Sequence, residues 1–227
     1  MLGTSAHSKR IVGWTALAWI AAALAAPAAA LAQATSNPSL NAQLLVGARQ
    51  GDLAQVRRVL DAGASPSSRN RLGKTALLVA AEKGNLPIVE AMLAKGADVN
   101  QASIEGVTPL MAAAYVGSAP VVRRLLEAGA RTDLRDRMNK PAVVYAAGQG
   151  HVAALDALLA SGIDVDAAYE HQLTALMWAA GQGQLDAVKL LLARGARRDL
   201  RDDRGLTAAE IARGAGQSAV VAALVSS

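Results

Sequence analysis

"GVTPLMAAAYVGSAPVVRRLLEAGARTD", residues 106–133, holds two helix starts and two helix stops in 28 positions. Gly106 suits a tight turn at positive φ, where a Cβ would collide with the backbone. Thr108 can cap a helix, and Pro109 stands at the first helical position, where a missing N–H costs nothing. The spacing predicts a short inner helix over "LMAAAYV", ended by Gly117. A second helix starts near Ser118, accepts Pro120 in its first turn, and lines up Val121, Val122, Leu125 and Leu126 on one apolar face. Gly129 then stops it as a glycine just past the helix end.

The unit recurs. Gly73, Gly106 and Gly205 share a register of 33 residues, and so do Thr75, Thr108, Thr174 and Thr207. The same spacing joins Gly51, Gly84, Gly117, Gly150, Gly183 and Gly216, and again Gly63, Gly96, Gly129, Gly162 and Gly195. Paired alanines follow it too (Ala80-Ala81, Ala113-Ala114, Ala146-Ala147, Ala179-Ala180) and let neighbouring helices approach closely. Such a period implies units that cannot bury their apolar faces alone and must stack. Four full units are expected at residues 71–103, 104–136, 137–169 and 170–202. A degenerate unit at 38–70 and a shortened one at 203–225 are expected to cap the ends, as stacked repeats require.

On these residues the chain resembles the ankyrin repeat family, whose pattern runs turn, G-x-T-P-L-H-x-A-A, helix, and G-A after a second helix. "GVTPLMAAA" (106–114) and "GADVN" (96–100) match it closely, and "GKTALLVAA" (73–81) matches with alanine in place of proline. The resemblance implies an all-α solenoid of helix-turn-helix units joined by β-hairpin-like turns, and a protein-binding role through hairpin tips and the exposed face of the inner helices. Three departures stand out. Leu78, Met111, Val144, Met177 and Glu210 occupy the usual histidine position, so apolar packing is expected to replace histidine–threonine hydrogen bonding in the middle units. Asn139 and Pro141 replace the turn glycine and the threonine of the fourth unit. Gln172 replaces the glycine of the fifth and tolerates the left-handed conformation less well than asparagine, so the turn at residues 169–173 is expected to be irregular.

The period also disposes of a nucleotide reading. Gly73-Lys74-Thr75 are the last letters of a phosphate-binding loop, but that loop needs a glycine five residues earlier, where Ser68 stands. In the repeat register Gly73 makes the hairpin turn, Thr75 caps the inner helix, and Lys74 is expected to project from the tip.

The N-terminus belongs to a different category. His7, Lys9 and Arg10 precede the apolar run "IVGWTALAWIAAALAA" (11–26), and Ala30-Leu31-Ala32 is a small-x-small cleavage site. This is the layout of a secretory signal peptide over residues 1–32, followed by a linker at 33–37. The run is short and alanine-rich against the roughly 20 apolar residues of a membrane span. Export to the periplasm of a Gram-negative bacterium is expected, with membrane contact only through this segment if it is not cleaved.

Composition excludes several function classes. With no cysteine in 227 residues there is no disulfide, thiolate metal site or cysteine nucleophile. The chain carries 23 basic and 18 acidic residues; removing Lys9 and Arg10 leaves 21 against 18, a net charge of +3. These charges are interspersed, as in "EAGARTDLRDRMNK" (127–140), rather than gathered into a basic stripe with aromatics, so no nucleic-acid partner is expected. Two histidines remain after residue 32. His151 stands at the start of an outer helix and reads as structural. His171 beside Glu170 could form a weak general base, but no third orienting group or nucleophile stands at motif spacing. Asp133, Asp136, Asp202 and Asp203 read as turn residues satisfying local backbone N–H groups. No cofactor, no metal and no catalytic residue is expected.

The aromatics make the binding surface specific. Tyr145 and Trp178 occupy the slot just before the paired alanines, 33 residues apart, where Val79 and Ala112 sit in earlier units. Tyr115 lies three residues beyond that slot and shares its helix face. Either these aromatics face a partner, or they fill space between the inner and outer helices. On the first reading the concave face comprises Lys74, Glu82, Lys83, Glu105, Tyr115, Met138, Lys140, Tyr145, Gln149, Glu170, His171, Trp178 and Gln182. The expected protein is a monomeric, non-catalytic module that binds another envelope protein, as a scaffold or accessory protein. The alternatives are an inhibitor or immunity protein that occludes a toxic enzyme, and a small hydrolytic enzyme using Glu170 and His171.

Overall fold

The computed structural model describes residues 38–225; the signal segment and linker read from the sequence lie outside them. The described residues form six pairs of short antiparallel helices. In chain order these are α1 (Pro38–Gln50) and α2 (Leu53–Asp61), α3 (Ala76–Glu82) and α4 (Leu86–Ala94), α5 (Pro109–Val116) and α6 (Ala119–Glu127). They continue with α7 (Ala142–Gln149) and α8 (Val152–Ala160), α9 (Ala175–Gly181) and α10 (Leu185–Ala193), α11 (Ala208–Gly214) and α12 (Ser218–Val225). The odd-numbered inner helices pack on one another more extensively than the even-numbered outer ones, so the array curves with the inner layer on its concave side. The described residues include no helix long and apolar enough to cross a membrane.

Helices of 7–9 residues are too short to persist alone, since nucleation is costly and few hydrogen bonds repay it. Stacking supplies the stability. The paired alanines of α3, α5, α7 and α9 are all fully buried, which small side chains permit where one inner helix is pressed between two others. Outer helices contribute the bulk: Ile88, Met92, Leu125, Leu155, Leu158 and Leu191 fill the layer between the two rows of helices. At the histidine position, Leu78, Met111, Val144 and Met177 are buried, each worth about 1.5–3 kcal/mol of apolar transfer. Glu210 behaves differently: its carboxylate accepts from Thr207 N–H at 2.7 Å and from the Thr207 hydroxyl at 2.9 Å, closing a capping box.

Thr75, Thr108, Thr174 and Thr207 each accept a hydrogen bond from the backbone N–H three residues on, as helix caps do. Pro141 has the same extended backbone but no hydroxyl, and α7 starts without a side-chain cap.

The glycine after each inner helix that a further unit follows has two reasons to be glycine. Gly117 and Gly150 have φ of 76° and 74°, in the left-handed region. Their Cα atoms also carry the next repeat: a Cβ on Gly117 would lie 2.4 Å from the His151 ring, and one on Gly150 would lie 2.3 Å from the Gln184 amide. These side chains cross to the preceding unit and donate to its carbonyls, His151 Nε2 to Tyr115 O at 2.9 Å and Gln184 Nε2 to Gly148 O at 3.2 Å. His151 is thus structural, with its proton on Nε2 because a carbonyl can only accept.

The hairpin tips form a second line of contact between units. Ile104 N–H donates to Leu72 O, Arg137 N–H to Glu105 O, and Asp203 N–H to His171 O. Among the described residues no such bond joins Met138 to Glu170. The reason lies in the fifth tip, where residues 170–172 form one 3₁₀ turn with His171 at φ 58° and Gln172 at φ 57°. Gln172 is part of the cause, as its sequence position suggests. Tyr169 is the rest: Asn70, Asp136 and Asp202, which hold the same place in the period, each accept two backbone N–H groups of their own turn, and tyrosine cannot.

Candidate functional site

Tyr115, Tyr145 and Trp178 lie on α5, α7 and α9 and line one continuous trough across the concave side. Tyr115 is 53% exposed, which an aromatic in the core would not be. Its ring meets Tyr145 edge to face with centroids 5.8 Å apart, a favoured aromatic geometry. Tyr145 and Trp178 are half-buried: their inner edges pack on the core and their outer edges form the trough wall. The inner edges thus fill space between the helices, and the outer edges stay exposed in the trough.

A hollow of about 390 Å³ lies between α3 and α7 and is walled by Val107, Met111, Ala112, Tyr115, Val116, Tyr145 and Glu82. A second, of about 210 Å³, adjoins it across Tyr115 and Tyr145 and is walled by Lys140, Gly148, Gln149, Trp178 and Gln182. A third continues past Trp178 over Gly181 to Ile211. Ile211 occupies the slot of Tyr145 and Trp178 one unit further on, a position legible from the period. Gly148 and Gly181, also one period apart, keep the floor low by having no side chain.

Polar groups in the trough are held in place. Tyr145 donates its hydroxyl to Asp136, whose other oxygen accepts from Met138 and Lys140 N–H. Burial, and then that hydrogen bond, push the Tyr145 phenol well above its ordinary pKa, so it stays a donor. Lys140 lies across Trp178 with its ammonium 4.4 Å from the ring centroid, a cation–π contact. At the edge, Arg135 covers Tyr169 at 5.3 Å, and burial raises the Tyr169 pKa despite that positive charge.

The structure thus gathers Glu82, Tyr115, Lys140, Tyr145, Gln149, Trp178 and Gln182 into one surface. It sets the other candidate residues apart. Lys74 does not project from the tip; it folds back along α3 to pair with Glu82 at 2.6 Å. Lys83 is exposed beyond the end of α3, and Met138 is 59% exposed on a tip. Glu105 pairs with Arg137 of the next tip at 3.1 Å. Glu170 and His171 occupy the irregular fifth tip, where His171 Nδ1 lies 2.8 Å from Asp203 and Nε2 lies 4.0 Å from Glu170.

Two of the four aspartates, read from sequence as turn residues, also engage other side chains. Asp136 and Asp202 fill that role, Asp133 pairs with Arg131 at 2.6 Å, and Asp203 orients His171. His171 therefore has a third group beside it, from a position 32 residues away that no local motif reveals. Among the described residues no three histidine, aspartate or glutamate side chains converge at metal-binding distance.

A stack of helical hairpins with an aromatic trough along its inner layer defines a repeat-protein interaction module. The family model for ankyrin repeats (3 copies) matches residues 44–136, 96–169 and 143–227, which together span every repeat, and the chain belongs to the ankyrin repeat family. Ankyrin repeats generally mediate protein–protein interaction without catalysing a reaction. A search of curated proteins returned no match.

Proposed function

We propose that the protein is an exported, monomeric adaptor that holds another envelope protein along the trough of α5, α7 and α9. The observation that carries this is the placement of Tyr115, Tyr145 and Trp178 on successive inner helices, edge-exposed and contiguous. Amphipathic aromatics at the centre of a concave surface are typical anchors of protein interfaces. Export rests on the basic, apolar and small-residue layout of residues 1–32, with cleavage after Ala32.

The test is affinity capture from periplasmic extract with the parent protein and a Tyr145→Ala/Trp178→Ala variant of equal helicity. One protein retained by the parent and lost from the variant is the expected result. Retention of the same protein by both would remove the trough from the interface. The mature N-terminus, read by mass spectrometry of the periplasmic fraction, should be Gln33; a chain starting at Met1 in the membrane fraction would overturn cleavage.

A further inference from the structure

The trough carries three charged side chains, and two are already neutralised within the protein. Glu82 pairs with Lys74, and Arg204 at the far end pairs with buried Asp202 at 2.6 Å. Lys140, in the middle, has no carboxylate within ion-pair distance among the described residues. Asp136, on its own turn, is consumed by two backbone N–H groups and the Tyr145 hydroxyl. The Lys140 ammonium instead rests on the Trp178 face, which occupies none of its three N–H donors. A trough walled by aromatics and rimmed by glutamines thus presents one half-buried cation with unused donors at its centre.

The spacing of the hollows restricts the shape of what lies there. Neighbouring packed helices stand about 8–10 Å apart. A polyproline-II segment rises about 3.1 Å per residue with three residues per turn, so residues three apart point the same way and lie about 9 Å apart. A β-strand places residues two or four apart on one face, at about 7 or 13 Å, and misses that spacing. Gln149 and Gln182, exposed at the ends of successive inner helices at the rim, supply amide donors and acceptors for a backbone that makes no hydrogen bonds of its own.

Resting on the protein-binding reading above, we infer that the trough docks an extended polyproline-II segment of the partner carrying one aspartate or glutamate. Its carboxylate binds Lys140 over Trp178, and apolar residues three positions to either side fill the Tyr115–Met111 hollow and the Trp178–Ile211 hollow.

A phage-displayed library of random twelve-residue peptides, selected on the full chain, tests this. The parent should select an acidic residue with an apolar residue three positions away. Selection on Lys140→Met, which keeps the stem over Trp178 and removes the charge, should lose the acid and keep the apolar positions. A fluorescein-labelled selected peptide should bind the parent about tenfold more weakly when its acid is changed to the amide, as expected for one charge-assisted hydrogen bond, and bind Lys140→Met equally in both forms. Peptides without an acid, or an amide change without effect, would overturn the Lys140 anchor while leaving the trough as a binding surface. Apolar spacings of two or four would overturn the polyproline-II geometry. Recovery of no peptide would overturn docking of a linear segment altogether, and the capture experiment would then decide independently whether the trough binds a folded protein.

Discussion

Replacing Gly117 and Gly96 by alanine should have unequal costs, although both glycines sit at nearly the same left-handed φ, 76° and 77°. An alanine held there loses about 1–2 kcal/mol to the clash of its Cβ with the backbone. At Gly96 nothing else lies within 4 Å of the new atom, so that figure is the whole cost. At Gly117 the new Cβ would lie 2.4 Å from His151 Nδ1 and 2.5 Å from its Cγ. The imidazole must leave and give up its 2.9 Å bond to Tyr115 O, a further loss of about 0.5–1.5 kcal/mol. Gly117→Ala should therefore exceed Gly96→Ala by about that amount. Urea unfolding followed by far-UV circular dichroism, fitted as a nearest-neighbour repeat array, measures both. His151→Ala closes the cycle: in its background the extra cost should vanish, because there is no ring left to displace. Equal costs for the two glycines, or an extra cost that survives His151→Ala, would refute the claim that the outer-helix side chain rests on the preceding glycine.

Gln172→Gly should stabilise the protein by about 1 kcal/mol, since it removes a left-handed penalty at φ 57°; an unchanged or lower urea midpoint would contradict this. Gly148→Ala should also stabilise, by about 0.5–1 kcal/mol from helix propensity, because its Cβ would meet only Gln182 Cγ at 4.0 Å. The same methyl raises the trough floor, so partner capture should weaken while the melting temperature rises. Acid should destabilise the array. The Arg131 and Arg197 guanidinium groups hold Asp133 and Asp199 below the ordinary 3.8, and Thr207 N–H holds Glu210 below 4.5. For Asp202 burial pulls upward most strongly, but bonds from Leu206 N–H and Arg204 together outweigh it. Because these folded-state values lie below the unfolded ones, their stabilisation is complete above about pH 4.5 and disappears as pH falls through the folded values. Melting temperatures measured from neutral pH down to about pH 2 should fall on this limb, and less steeply in Asp202→Asn; a rise on acidification would contradict the sign.

The repeat boundaries are legible in the sequence because the residues that start and stop these helices act locally. Thr108 caps the turn that follows it, and Gly117 and Gly129 end the helices that precede them. The aromatic line is legible for a related reason: Tyr145 and Trp178 hold one slot of one helix, so the period places them on one face. What stays hidden acts between units. The side chains resting on successive glycines are Ser118, His151, Gln184 and Gln217, three residue types at one position of the period. The Asp203–His171 pair is equally silent, since its members lie on different tips. Tyr169 misleads in another way. It reads as a turn residue, and it is one, but its defining feature is the carboxylate or amide it lacks, which leaves that tip without the bonds that shape the others.

The seam between the fourth and fifth units has a mechanical meaning. An array whose tips are laced by backbone hydrogen bonds behaves as a spring, and the coil missing its lace between Met138 and Glu170 is the most compliant. That coil lies under the middle of the trough, between Tyr145 and Trp178, where Lys140 reaches across from one unit to the next. Tension applied to the ends in an optical trap should part the stack there first. Any chain lying along the trough spans the joint and stiffens the whole spring by splinting its softest turn.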